Sequence, residues 1–179
     1  MGLLGSVCPV VGPDVVPDAS IVDLAVRLQW LLGPLRLVAG PGLWLVVQPF
    51  MPATHWILQL YAGRMPRGDR LVFADPEIEG MLIDDIVNAT RSRFGAVAHD
   101  VALFGRDWGF SIGDVRVPVF WWHGDDDNII PVAHALHASE LLANCALEVR
   151  PGESHIGAFA IADVVLETLL AAWTGQSGA

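Results

Sequence analysis

The sequence predicts an α/β fold, a fragment of parallel sheet interrupted by a helical insertion. Three observations predict it. Apolar runs of strand length lie near both ends, a proline-punctuated stretch without strand alternation lies between them, and residues 108–179 read as strand, acidic loop, helix, strand, histidine loop and helix in succession. That order is the one in which a strand crosses over through a helix to a parallel neighbour. At 179 residues one domain with a real core is expected. It divides into a sheet strand over 1–17, a helical insertion over 18–107 and a C-terminal sheet and helix segment over 108–179.

The opening strand rests on the apolar run 3–11, which Gly12-Pro13-Asp14 ends as a turn. Its flank carries no basic residues, so it reads as a strand and not as a secretory leader. Between 18 and 107, helix-length segments at 21–32, 43–48, 53–62 and 78–94 are separated by proline and glycine. Within them, residues 37–63 contain no Asp, Glu, Lys or Arg, enough length to cross a bilayer. Gly40, Pro41, Gly42, Pro49 and Pro52 break that run, and Gln48, His55 and Gln59 would each need a partner in lipid. Short apolar helices lining a pocket are therefore expected, and membrane association is not.

From Val115 the pattern changes. Val115, Val117 and Val119 alternate and Phe120-Trp121-Trp122 carry the run into His123-Gly124, as a buried strand ending in a glycine turn does. Asp125-Asp126-Asp127-Asn128 follow as an acidic loop. Pro131 suits the first position of a helix reaching about Asn144, because an opening turn leaves its N–H unpaired in any case. A second strand spans 146–149, Pro151-Gly152-Glu153-Ser154-His155 form a loop, and Ile161, Val165 and Leu169 make a helical stripe to Trp173. In a parallel sheet chemistry sits beyond the strand C-termini, which is where Asp127 and His155 fall.

Composition excludes other classes. The formal net charge is −10, with ten arginines and no lysine, so no basic stripe is available to neutralise a phosphate backbone and no nucleic-acid partner is expected. Cys8 and Cys145 lie far apart in apolar stretches and read as reduced thiols, in keeping with a cytoplasmic location. Asp125, Asp126 and Asp127 with His134 and His137 invite a metal reading, but the two histidines stand beyond a helix start with no second pair near them, so no metal site is expected. His123 reads as satisfying a hydrogen bond at the strand end, while His55 and His99 have no recognisable partners. A mean hydropathy of +0.48 is high for a soluble domain, so the apolar excess must be covered somewhere.

VPVFWWHGDDDNIIP followed by VRPGESH resembles the C-terminal part of an α/β-hydrolase, and Trp108-Gly109-Phe110 resembles the lead-in to that part. The likeness is best over residues 108–173, while residues 18–107 resemble a cap insertion in kind and position. It implies that Asp127 is the triad acid and His155 the general base. The chemistry suits those residue types: imidazole titrates near neutrality and can carry a proton, and a carboxylate on its other nitrogen fixes the tautomer and stabilises the cation. The resemblance further implies hydrolysis with no organic cofactor, foremost of a small apolar ester or amide by serine-hydrolase chemistry, while an epoxide or a haloalkane would also suit the family.

The nucleophile is the missing part. Gly109-Phe110-Ser111-Ile112-Gly113 fits G-x-S-x-G, and the order Ser111, Asp127, His155 matches the family. Yet a nucleophile elbow needs a strand before it and a helix after it. Gly105-Arg106-Asp107-Trp108 precede Ser111 and a β-branched alternation with Pro118 follows, so Ser111 reads better as a connector serine. Ser6 has its glycine adjacent and reads as a sheet residue. By the resemblance the chain begins at the strand after the elbow, so a hydrolase inactive alone is expected, completed through an open sheet edge by self-association or by a separate or misassigned N-terminal half. The alternative is a non-catalytic remnant or a membrane-associated or partner-binding protein.

Overall fold

A computed structural model describes residues 1–16, 41–42, 44–91, 99–100 and 103–176. Among the described residues it is a mixed α/β structure, an open sheet of three parallel strands with five α-helices. The strands are β1 (Gly2–Leu4), β2 (Val119–Gly124) and β3 (Cys145–Arg150), side by side in that order. Leu3 lies opposite Trp121 and Trp121 opposite Leu147.

β2 is covered on both faces, and its alternation divides the core. Val119 and Trp121 point to one side, with Cys8, Ile112, Ala135, Ala138 and Leu142. Phe120 and Trp122 point to the other, against Ile161, Val165 and Leu169. The first layer is closed by α4 (Ala133–Leu141), where Ala135 and Ala138 let the helix approach closely. The second is closed by α5 (Ala162–Gln176), entered through the 3-10 turn Gly157–Ile161.

Several elements are shorter than their sequence patterns. The strand expected over 1–17 occupies only Gly2–Leu4, because Gly5 takes a left-handed φ of +48° and turns the chain off the sheet. β2 starts after Pro118 and not at Val115, since proline offers no N–H to a ladder. Val119 N–H is the first to donate, to Asn144 O at 2.9 Å. α4 ends at Leu141, three residues before the expected Asn144, and Leu142 is already extended with ψ 125°.

The helical region holds α1 (Thr54–Ala62), α2 (Arg67–Phe73) and α3 (Pro76–Arg91). The helix expected over 21–32 and part of the uncharged run 37–63 lie outside the described residues. The rest of that run is broken at the 3-10 segment Gln48–Ala53, which holds Pro52 inside it. α3 starts where Asp75 Oδ1 accepts the N–H of Glu77 at 2.9 Å, with Pro76 in the opening turn and Glu77 and Glu79 near its positive end. α1 buries none of its residues, and Trp56 is 72% exposed. By length and composition the segment Gly157–Gly175 is apolar enough to cross a membrane, with a mean hydropathy of 1.5.

Candidate active site

The C-terminal ends of all three strands meet at one carboxylate. β2 stops at Gly124, where a Cβ would collide with the carbonyl of Glu153, so only glycine lets the acidic loop and the histidine loop touch. Three hydrogen bonds then stitch the loops. Asp125 N–H donates to Arg150 O at 3.2 Å, Gly152 N–H to Asp125 Oδ1 at 2.7 Å and Asp126 N–H to Glu153 O at 3.0 Å. Arg150 adds ion pairs to Glu148 at 2.7 Å and Glu153 at 2.8 Å, which hold its guanidinium above the usual range.

Asp127 follows, buried. Its Oδ1 accepts the N–H groups of Ile129 and Ile130, both at 2.8 Å, a local turn that pins the carboxylate. Its Oδ2 lies 2.9 Å from His155 Nδ1. In the neutral ring that contact puts the proton on Nδ1 and the lone pair on Nε2, the nitrogen a proton-accepting histidine uses. β1 closes the back: a Cβ on Gly5 would stand 3.2 Å from His155 Nδ1 and 3.5 Å from Asp127 Oδ2.

Electrostatics follow from these contacts. Burial opposes ionisation of Asp127, but the bond from His155, the two amides and the nearby imidazole outweigh it and hold the carboxyl below its ordinary value. His155 goes the other way. Its hydrogen bond to Asp127 raises its pKa against partial burial, and the charges of Asp127 and Asp69 add to the rise. The ring is 36% exposed, so water reaches it.

A second histidine leans on the same carboxylate. His123 Nε2 lies 2.8 Å from Ile130 O and 3.6 Å from Asp127 Oδ2, while its Nδ1 accepts Trp121 Nε1–H at 3.2 Å. Nδ1 is therefore an acceptor and Nε2 carries the proton. Burial depresses its pKa, so His123 stays neutral and acts as a fixed donor behind Asp127. The hydrogen bond that the sequence assigns to it at the strand end is present.

Above the pair lies the helical region. Gly68 N–H of α2 donates to Gly152 O at 3.1 Å, and Asp69 Oδ1 accepts Ser154 N–H at 3.2 Å. A cavity of about 80 Å³ opens beside this joint, with Tyr61, Asp69, Asn128 and His155 among its walls. Asp69 has no sequence signal: it looks like any acid in the first turn of a helix, and its burial comes from docking 85 residues away.

Ser111 is not part of this cluster. Its hydroxyl donates to Asp14 Oδ2 at 2.9 Å and accepts Gly113 N–H at 3.2 Å, and with Asp114 it forms a capping box on the short turn Ile112–Asp114. G-x-S-x-G is here a turn device. Ser6 donates to Leu4 O at 3.3 Å. His134 Nδ1 accepts the N–H of Cys8 at 3.2 Å, facing the core and not the acidic loop. Among the described residues no three His, Cys, Asp or Glu side chains converge as metal ligands would. His55, without a recognisable partner in the sequence, lies 3.3 Å from Glu79. Cys8 and Cys145 are free thiols, and burial pushes Cys8 up to about 12.

No protein-family model matches this chain, and no curated protein matches it.

Proposed function

We propose that this chain is the acid and histidine half of an α/β-hydrolase-type enzyme, with residues 18–107 as its cap, acting on a small ester or amide. The single observation behind the proposal is the 2.9 Å contact of Asp127 Oδ2 with His155 Nδ1, on a carboxylate whose other oxygen is tied to two amides. In this reading Asp127 orients the ring and balances the imidazolium. His155 Nε2 takes the proton of a hydroxyl nucleophile as it attacks the carbonyl, then returns it to the leaving group. Ser111 is bound to Asp14, so in this reading the nucleophile is supplied by a separate or misassigned N-terminal half that adds to the open edge of β1. No organic cofactor or metal enters the chemistry, and the setting is cytoplasmic.

The test is made on the protein as its native host produces it. Intact mass and turnover of a panel of p-nitrophenyl esters are measured together, for the natural protein and for His155→Ala. Turnover should fall about 10⁴-fold on losing the base. Undiminished turnover in His155→Ala removes the reading. A non-catalytic, partner-binding role is the second reading, favoured by the exposed row Leu166, Leu170 and Trp173 on α5. It is supported if no ester is turned over and the protein is isolated in a stable complex.

A further inference from the structure

Asp69 is 0% exposed, and only one of its carboxylate oxygens is used. Oδ1 takes the N–H of Ser154, whereas Oδ2 is buried with no hydrogen-bond partner among the described residues. A buried carboxylate with half its acceptor capacity unmet is costly unless a donor arrives. Asp69 also lines the cavity that His155 lines, so the donor's place and the proposed base share one chamber. Arg64, the cation on that chamber's wall, is exposed and gives its Nη1 to Leu60 O at 3.1 Å. Its charge is spent largely on solvent.

The joint that carries Asp69 is built and not incidental. A Cβ on Gly68 would come within 2.8 Å of Glu153 Cγ and 3.0 Å of Gly152 O, so the start of α2 presses directly on the histidine loop. With Gly68 N–H on Gly152 O and Ser154 N–H on Asp69 Oδ1, the carboxylate is held one residue from His155 by two anchors. Asp69 is thus held firmly in the wall of a chamber of about 80 Å³, which has room for a small polar group.

We propose that Asp69 Oδ2 is a substrate-binding acceptor that takes a primary ammonium group, so that the substrate is an ester or amide carrying an amine close to its scissile bond. This rests on the hydrolase reading for the word substrate, but the subsite itself does not. A charged donor suits a buried carboxylate better than a hydroxyl does, because charge-assisted hydrogen bonds are about twice as strong as neutral ones. It also revises the expectation of a wholly apolar substrate: the apolar walls accept the body of the molecule, and Asp69 fixes its amine.

The probe is ethylammonium chloride, titrated into the isotope-labelled chain at constant ionic strength and followed by NMR at the Ser154 amide and the His155 ring. Saturable shifts at both are expected. Tetramethylammonium has the same charge but no N–H, and should leave them in place. Asp69→Asn keeps an oxygen for Ser154 N–H and puts an NH₂ where the acceptor was, so affinity for ethylammonium should fall at least tenfold. Equal affinity in Asp69→Asn, equal shifts with tetramethylammonium, or no saturable shift in the natural chain overturns the proposal. If Asp69→Asn does not fold, the ¹³Cγ resonance of Asp69 in the natural chain is read instead, and its failure to move overturns the proposal as well. His155→Gln should still bind ethylammonium. Loss of turnover in that variant therefore bears on the hydrolase reading, and loss of binding in Asp69→Asn bears on the subsite.

Discussion

The loop end of the sheet and the outer helical surface obey opposite rules. At the loop end nearly every polar atom around Asp127 is matched: two amides on one oxygen, two histidines near the other, and a backbone seam between the loops. On the outer surface large apolar groups stand in solvent, Trp56 at 72% and Trp173 at 73% exposed, with Leu45, Leu60, Leu166 and Leu170 beside them in kind. A groove of about 410 Å³ lined by Phe120, Leu169 and Trp173 lies at the other end of the sheet. Around Asp127 the bonding is therefore made within the chain, with Asp69 Oδ2 left unmatched among the described residues, while large apolar side chains on the outer surface stand uncovered. One region is polar and closely bonded, and the other is apolar and open to solvent.

The contrast can be broken most severely at Gly124. Gly124→Ala drives a methyl into the Glu153 carbonyl, a backbone atom that cannot turn aside, and should cost about 4 kcal/mol or abolish folding. Urea denaturation measures it. The matched changes on the other region, Leu166→Gln and Trp173→Gln, should alter stability by no more than about 0.5 kcal/mol, because both side chains are already exposed. They should lower the mass seen in sedimentation if that face holds copies together.

Asp127→Ala comes next. It strands the buried amide of Ile130 and the partly buried one of Ile129, for an expected loss of about 3 kcal/mol. Ser111→Ala removes only a cap and a partner of Asp14, for about 1 kcal/mol, and should leave the titration of His155 unchanged. A shift of that titration would place Ser111 nearer the site than its bonds to Asp14 and Gly113 allow.

The smallest effect is the pH dependence, in which the two histidines act on opposite sides of neutrality's acid edge, in separate windows. His155 has a raised pKa, so its contribution is full below its ordinary value of 6.5 and is lost as pH rises through the raised folded value. His123 has a lowered pKa, so its contribution is full above 6.5 and is lost as pH falls through the depressed folded value. Asp127 acts lower still: what it contributes is present above 3.8 and disappears as pH falls through its depressed value. Removing one histidine leaves the other's window in place. In His155→Gln, stability should rise with pH through the region just below 6.5. NMR titration should find His155 protonating above that value and His123 below it.

The candidate pair was legible in the sequence because each member follows directly on a strand, Asp127 three residues after Gly124 and His155 five after Arg150. Strand ends carry loops to the same edge of a parallel sheet whatever the rest of the chain does. The limits of β1 and β2 were less legible. An apolar run looks the same before and after a backbone turn, and only the left-handed φ of Gly5 ends the first strand. Asp69 was illegible for a different reason. Arg67-Gly68-Asp69-Arg70 has the look of a solvated helix start, and what buries the aspartate is the docking of that turn on Gly152 and Ser154. Local pattern carries no record of such long-range contact. The G-x-S-x-G pattern errs in the opposite direction, since a serine between glycines is as good at capping a turn as at attacking a carbonyl.

The seam between the two loops has a consequence for how this part of the molecule opens. With Asp125, Asp126 and Gly152 bonded across it and Gly124 in contact with Glu153, neither loop can swing out without the other. Their amides should exchange with solvent as one cooperative unit and at one rate. The acid and the histidine should then open together and keep their mutual geometry until that unit gives way.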